Sequence, residues 1–325
     1  MDYTYFYKHS FHSLSEAGLR DTTYDLFISS FVNSERVISL ARTLKYNDSL
    51  WFVDHRDENS LFVQDKHKLV LELNEDYIRI HNKLIGMHFE GKSLCIDATG
   101  FQIPYLLFLI RVLYQSGIKK FDIYYTEPKK YKLAEETEFS DLFYVVKGIM
   151  GMVGRNVSET ENDLMIIAAG YDHSRIIDVA NSKKSAQKVL LFGFPALSPS
   201  MFQENIIRSF KADTSVKNAF KNLDSNIYAP AYDPFVTAQS IHDYIEHKRA
   251  ILRRENGNDT LDFTNIYLAP LSTKPHAIGM AMYYMWEHGW DKNITLLYPL
   301  CKTYNLDSSD GIARIWRYEI QMPSK

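Results

Sequence analysis

A chain of 325 residues has room for one large α/β domain or for two of ordinary size, at roughly 150 residues each. Hydrophobic residues make up 46% and charged residues 24%, which excludes a disordered, collagen-like or coiled-coil chain. The 37 basic and 40 acidic side chains leave a net charge of −3, so no overall basic field exists to hold nucleic acid through its phosphates.

Two cysteines, Cys95 and Cys301, cannot build a disulfide framework or a structural zinc site, and a reduced, cytoplasmic setting is expected. The opening residues Met1 to Tyr5 lack the basic-then-apolar profile of a signal peptide. The most apolar run, Tyr105 to Tyr114, contains Arg111, is too short for a bilayer and reads as a core helix. The aromatic stretch Tyr3 to Phe11 is expected to pack against the body.

In chain order, a strand over Asp25–Ser30 precedes a helix from Asn33-Ser34-Glu35-Arg36 to Leu44, and a second strand, Leu50–Val53, ends in Asp54-His55-Arg56. After an inserted helical segment, Asp76 to Gly86, comes the strand Leu94–Ile96 with the polar turn Asp97-Ala98-Thr99-Gly100. The apolar helix follows, then the strand Phe121–Tyr125 and a turn over Thr126–Tyr131. The second half repeats this order. A strand Asp163–Gly170 is followed by a helix opened by Asp172-His173-Ser174-Arg175, the strand Val189–Phe192 and a long helix from Phe235 to Arg253. The strand Ile266–Ala269, the turn Pro270-Leu271-Ser272-Thr273-Lys274-Pro275, the helix Ala277–Trp286 and the strand Ile294–Tyr298 complete it, with a turn over Pro299–Tyr304. The spacing Arg36 to Leu50 equals Arg175 to Val189, and Tyr125 to Tyr131 equals Tyr298 to Tyr304, with Lys129 and Lys302 in matching places. Continuous apolar strands alternating with helices predict parallel sheets covered on both faces. The expectation is an α/β chain of two tandem Rossmann-like modules related by internal duplication, over 1–155 and 156–325.

In open α/β sheets, ligands bind beyond the carboxyl ends of the strands. This chain places Ser29, Ser30, Arg36, Thr99 and Gly100 there in one half, and Gly170, Arg175, Thr273 and Lys274 in the other. Taken singly, each hydroxyl or carboxylate also reads as a helix cap. As a set with the cations, they suit an anionic, phosphate-bearing ligand. Strands ending in Asp97-Ala98-Thr99-Gly100 or Ser272-Thr273-Lys274-Pro275 before an apolar helix resemble the last motif of CARF domains, Rossmann-like sensors of cyclic oligonucleotides in prokaryotic antiviral systems. First strands ending in Ser29-Ser30 and Ala169-Gly170 are similar to theirs, and two units in one chain look like the pseudo-dimer of SAVED-type sensors. The resemblance implies that Ser29, Ser30, Thr99, Gly100, Ala169, Gly170, Thr273 and Lys274 contact ligand. The chain departs from that pattern in carrying no nuclease, protease or other effector domain: either it works with a protein partner or the likeness is one of fold geometry alone.

Other signals are short. Gly148-Ile149-Met150-Gly151-Met152-Val153-Gly154 is glycine-rich and reads as a helix end and hinge. No phosphate-loop motif of NTPases occurs, and His9-x2-His12 lacks the companions of a metal site, so neither cofactor nor metal is expected. Cys95 inside a strand reads as an inert buried thiol. Asp97 with Glu127, Asp172 with His173, and Asp54 with His55 are the acid/base candidates. Three functions compete: a nucleotide-type binding module of a defence system working with a protein partner, an enzyme hydrolysing a nucleoside or phosphorylated substrate, and a non-catalytic scaffold. No membrane partner is expected, and the sequence carries no strong signal for direct nucleic-acid binding.

Overall fold

The computed structural model describes residues 2–71, 77–131, 143–198, 200–216, 226–301 and 309–323. It divides into two compact units, Phe6–Phe139 with Tyr304–Lys325 (unit I) and Met1–Tyr5 with Ser140–Thr303 (unit II).

Unit I contains strands β1 (Lys8–Phe11), β2 (Thr23–Ser30), β3 (Lys45–Asp54), β4 (His67–Leu71), β5 (Leu94–Asp97) and β6 (Lys120–Tyr131), with helices α1 (Glu35–Thr43), α2 (Tyr77–Ile85) and α3 (Ile103–Gln115). Unit II contains β7 (Phe143–Gly148), β8 (Leu164–Ala168), β9 (Gln187–Gly193), β10 (Ile227–Ala229), β11 (Ile266–Pro270) and β12 (Ile294–Cys301). Its helices are α4 (His173–Ser182), α5 (Met201–Phe210), α6 (Pro234–Asn256) and α7 (Lys274–Trp286). The last strand, β13 (Ser309–Gln321), returns to unit I.

The sheet of unit I has the order β1-β13-β6-β5-β2-β3-β4, and that of unit II the order β10-β9-β8-β11-β12-β7. In both, five parallel strands run 3-2-1-4-5 in order of appearance, a doubly wound, Rossmann-like layout. In both, an antiparallel strand borders the fifth: β13 on β6 and β7 on β12. The strand bordering β6 comes from the chain after β12, and the strand bordering β12 from the chain after β6. That is why the units are not the contiguous stretches 1–155 and 156–325.

All residues of β5, β8 and β11 are buried, as expected of parallel strands covered on both faces. The apolar helix is a core element: α3 buries Arg111 along with its aliphatic residues, and α7 is buried from Pro275 to Met285. Helix ends follow local chemistry. Asp233 caps α6 by accepting from Phe235 N and Val236 N, Pro234 opens it, and Gly257 at φ 59° closes it. The N-terminal aromatics do pack: Tyr3 is fully buried in unit II, its N–H donating to Gln239 Oε1 (2.8 Å), and Phe11 is buried in the core of unit I.

Several expectations need correction. Each half contains five parallel strands rather than four, because the short strands β4 and β10 were not anticipated. Thr126–Tyr131 is not a turn but the second half of β6, laddered against β13. Pro128 is tolerated there because it faces Ile312, beside a register shift in the ladder. Gly148–Gly154 does not end a helix; it begins at Gly148, the last residue of strand β7. Lys302 and Tyr304 lie outside the described residues. Among the described residues, no helix is long and apolar enough to cross a membrane and no cluster of metal-ligating side chains occurs.

Candidate functional site

The 3-2-1-4-5 order creates a switch point between β2 and β5 in unit I, and between β8 and β11 in unit II, where consecutive connections depart in opposite directions. Backbone meets backbone at both. A Cβ on Gly100 would stand 2.0 Å from the Ser30 carbonyl oxygen, and one on Gly170 would stand 2.1 Å from that of Leu271. Only glycine lets the loops close this tightly.

In unit I the predicted residues converge. Ser29 Oγ donates to Asp97 Oδ2 (3.1 Å), and the Thr99 N–H donates to Asp97 Oδ1 (2.9 Å). The Thr126 N–H donates to Thr99 Oγ1 (3.0 Å), and Arg36 Nη1, reaching over from α1, donates to the Thr126 carbonyl (2.8 Å). Ser30 lies at the end of β2, buried at the edge of this network. Asp97 is completely enclosed. Burial pushes its carboxyl above the ordinary range, while hydrogen bonds from Thr99 and Ser29 and the Arg36 charge pull the other way. Glu127 is also raised by burial, against a hydrogen bond from Trp316 Nε1 (3.0 Å) and the charge of Arg314. Asp97 and Glu127 therefore belong to separate bonding sets. Glu127 sits inside a ladder opposite Arg314 rather than on a loop.

In unit II, Asp172 caps α4, accepting from Ser174 N (3.1 Å) and Arg175 N (3.4 Å), and pairs with Arg175 Nε (3.2 Å). Arg175 Nη1 donates to the Tyr298 hydroxyl on β12 (3.1 Å). Thus in each unit the arginine that opens the helix after the first strand reaches the fifth strand, β6 or β12. Thr273 caps α7 by accepting from His276 N (3.3 Å) and donates its hydroxyl to the Ala231 carbonyl (2.6 Å). Lys274 follows it, half-buried, and His173 opens α4, also half-buried. His276 is fully buried with Nε2 3.3 Å from the Ala229 carbonyl, and desolvation lowers its pKa to about 4, so the ring is neutral. A neutral ring facing a carbonyl carries its proton on Nε2.

Ser29, Ser30, Arg36, Thr99 and Gly100 gather at the switch point of unit I, and Gly170, Arg175, Thr273 and Lys274 stand at the strand ends of unit II. Much of their bonding is internal. Sequence reasoning missed the partners that complete the networks: Trp316, Tyr298 and Asn205, whose Nδ2 donates to the Ala169 carbonyl (2.7 Å). None lies near its partner in the chain, so no local signal marks them. Cys95 is a buried thiol raised well above its ordinary pKa, an inert one as the strand reading expected. Compared with known proteins, the chain matches no family model and no curated protein sequence.

Proposed function

We propose that this protein is a binding module for a small, phosphate-bearing ligand of nucleotide type, taken up beyond the carboxyl ends of the strands at the two switch points. The observation that supports this most strongly is the shared construction of both points: a glycine closing two loops, an arginine crossing to the fifth strand, and a helix N-terminus beside them. Helix N-termini offer backbone N–H groups to an anion. The N-cap of α3, Gln102, makes no side-chain capping bond, and Lys274 stands half-buried in the first turn of α7.

The matched strand order supports reading the two units as products of one duplicated module. The resemblance of the strand-end motifs to CARF and SAVED-type sensors narrows the ligand to a cyclic oligonucleotide and the role to a cytoplasmic sensor that passes its signal to a protein partner in antiviral defence. The structural work done by the acid/base candidates favours binding over turnover: Asp97 is enclosed, and Asp172 is occupied as a cap and ion-pair partner.

Calorimetric titration with cyclic oligoadenylates tests this reading. Saturable binding should be weakened several-fold by Ser30→Ala and by Lys274→Ala while the melting temperature is kept. No heat from any cyclic oligoadenylate at millimolar concentration would contradict it, and consumption of the ligand during titration would favour the hydrolase.

A further inference from the structure

A second candidate site lies in unit II, at the opposite ends of the strands from the switch point. Tyr267 and Thr295, each second in its strand, pair across β11 and β12 and help form the floor of a cavity of about 460 Å³. Lys147 and Gly148 of β7, Asn156 from the segment beyond it, and Lys183 at the end of α4 also line it. We propose that this cavity binds a small organic phosphate, held by Lys147, Lys183 and the Thr295 hydroxyl.

The glycine-rich segment builds the wall. A Cβ on Gly148 would stand 2.6 Å from Val153 Cγ2, and one on Gly154 would stand 2.3 Å from the Ile294 carbonyl oxygen. Three glycines therefore let the segment after β7 fold flat against β12, with Gly151 at φ 79° making the bend. That fold delivers two donors to one oxygen: Thr295 Oγ1 accepts from the Gly154 N–H (3.0 Å) and from Asn156 Nδ2 (2.8 Å). A hydroxyl has two lone pairs and one proton. Both lone pairs are used, so the hydroxyl's own proton is left as a donor, on a side chain only 2% exposed. That donor suits an acceptor oxygen of a phosphate.

Charge around the cavity agrees. No acidic side chain is among its lining residues. The end of a helix is normally negative and would draw a cation. Here Lys188 Nζ already donates to the Lys183 and Lys184 carbonyls (2.5 and 2.9 Å). Lys183 Nζ stands 4.6 Å from the centre of the Tyr267 ring, a weak cation–π hold that an anion can outcompete. The volume suits a ligand of mononucleotide size.

The test is calorimetric titration of the full chain with adenosine 5′-monophosphate, inorganic phosphate and adenosine. Three proteins are compared: the unaltered chain, Lys147→Ala/Lys183→Ala, and Ser30→Ala/Lys274→Ala. The monophosphate should bind, phosphate should compete with it, and adenosine alone should not bind. Affinity should fall roughly tenfold or more in the Lys147→Ala/Lys183→Ala protein, as loss of charged hydrogen bonds implies, and survive in the Ser30→Ala/Lys274→Ala protein. Both lysines are partly exposed, and an unchanged melting temperature, or Lys→Gln versions of the pair, separates lost binding from lost folding. Monophosphate binding that survives loss of both lysines, or that disappears in the Ser30→Ala/Lys274→Ala protein, would overturn the cavity and leave the switch points standing. Absence of binding to the unaltered chain would overturn it as well.

Discussion

Gly100 and Ser30 are locked together across the β2/β5 switch point, with only 2.0 Å between an added Cβ and the Ser30 carbonyl oxygen. Gly170 and Leu271 repeat the relationship at 2.1 Å across β8/β11. Because the obstacle is backbone, it cannot swing away. Gly100→Ala and Gly170→Ala should each destabilise their own unit by about 1–3 kcal/mol, the cost of overpacking a tight site. Urea unfolding followed by segment-resolved probes reads this, since two units need not unfold as one. An alanine tolerated without loss would show that the loops are not closed as described.

His276 makes stability depend on acid. Its pKa of about 4 in the folded chain is below the ordinary 6.5, so the unfolded chain binds the proton more tightly between these values. Stability from this group is complete above pH 6.5 and is lost as the pH falls toward 4, by about 3 kcal/mol in all. Relative to His276→Asn, the unaltered protein should lose additional melting temperature over that window. Parallel curves for the two proteins would show that the ring is not enclosed.

Asp97 acts in the opposite sense. Its folded-state pKa is raised by burial above the ordinary 3.8, so the folded chain holds the proton more tightly, and stability from this group declines as the pH rises through that window. Asp97→Asn should remove this decline and should also uncouple Ser29 or Thr99. A chemical-denaturation series from acid to neutral pH compares the two proteins directly, and identical slopes would contradict the assignment.

Arg175 and Tyr298 tie α4 to β12. Arg175→Ala should cost about 1.5–3 kcal/mol, because it removes the buried charge paired with Asp172 and the donor to Tyr298. Tyr298→Phe removes one hydroxyl and should cost about 1 kcal/mol. Denaturation midpoints in which the phenylalanine change is the more damaging would show that the bridge does not carry the load.

The parallel core was legible because its strands are apolar throughout: Leu164 to Ala168 and Ile266 to Pro270 need no partner to be recognised. Antiparallel strands were not. β13 alternates buried Trp316, Tyr318 and Ile320 with half-buried Arg317 and Glu319, a pattern that becomes a strand only once β6 lies beside it. Glu127-Pro128-Lys129 carries turn residues, and the ladder with β13 overrides them. Caps such as Asp172 and Thr273 were readable from a few neighbouring residues. Links such as Arg36 to Thr126 and Arg175 to Tyr298 join residues remote in the chain, and only folding reveals them.

Hydrogen exchange measured with and without a saturating cyclic oligonucleotide locates binding without assuming which side chain matters. Slower exchange is expected at 29–36 and 97–103 in unit I and at 169–175 and 270–276 in unit II, where loops and helix N-termini surround the switch points. Unchanged exchange at all four segments under saturating ligand would contradict the assignment of binding to the carboxyl ends of the strands.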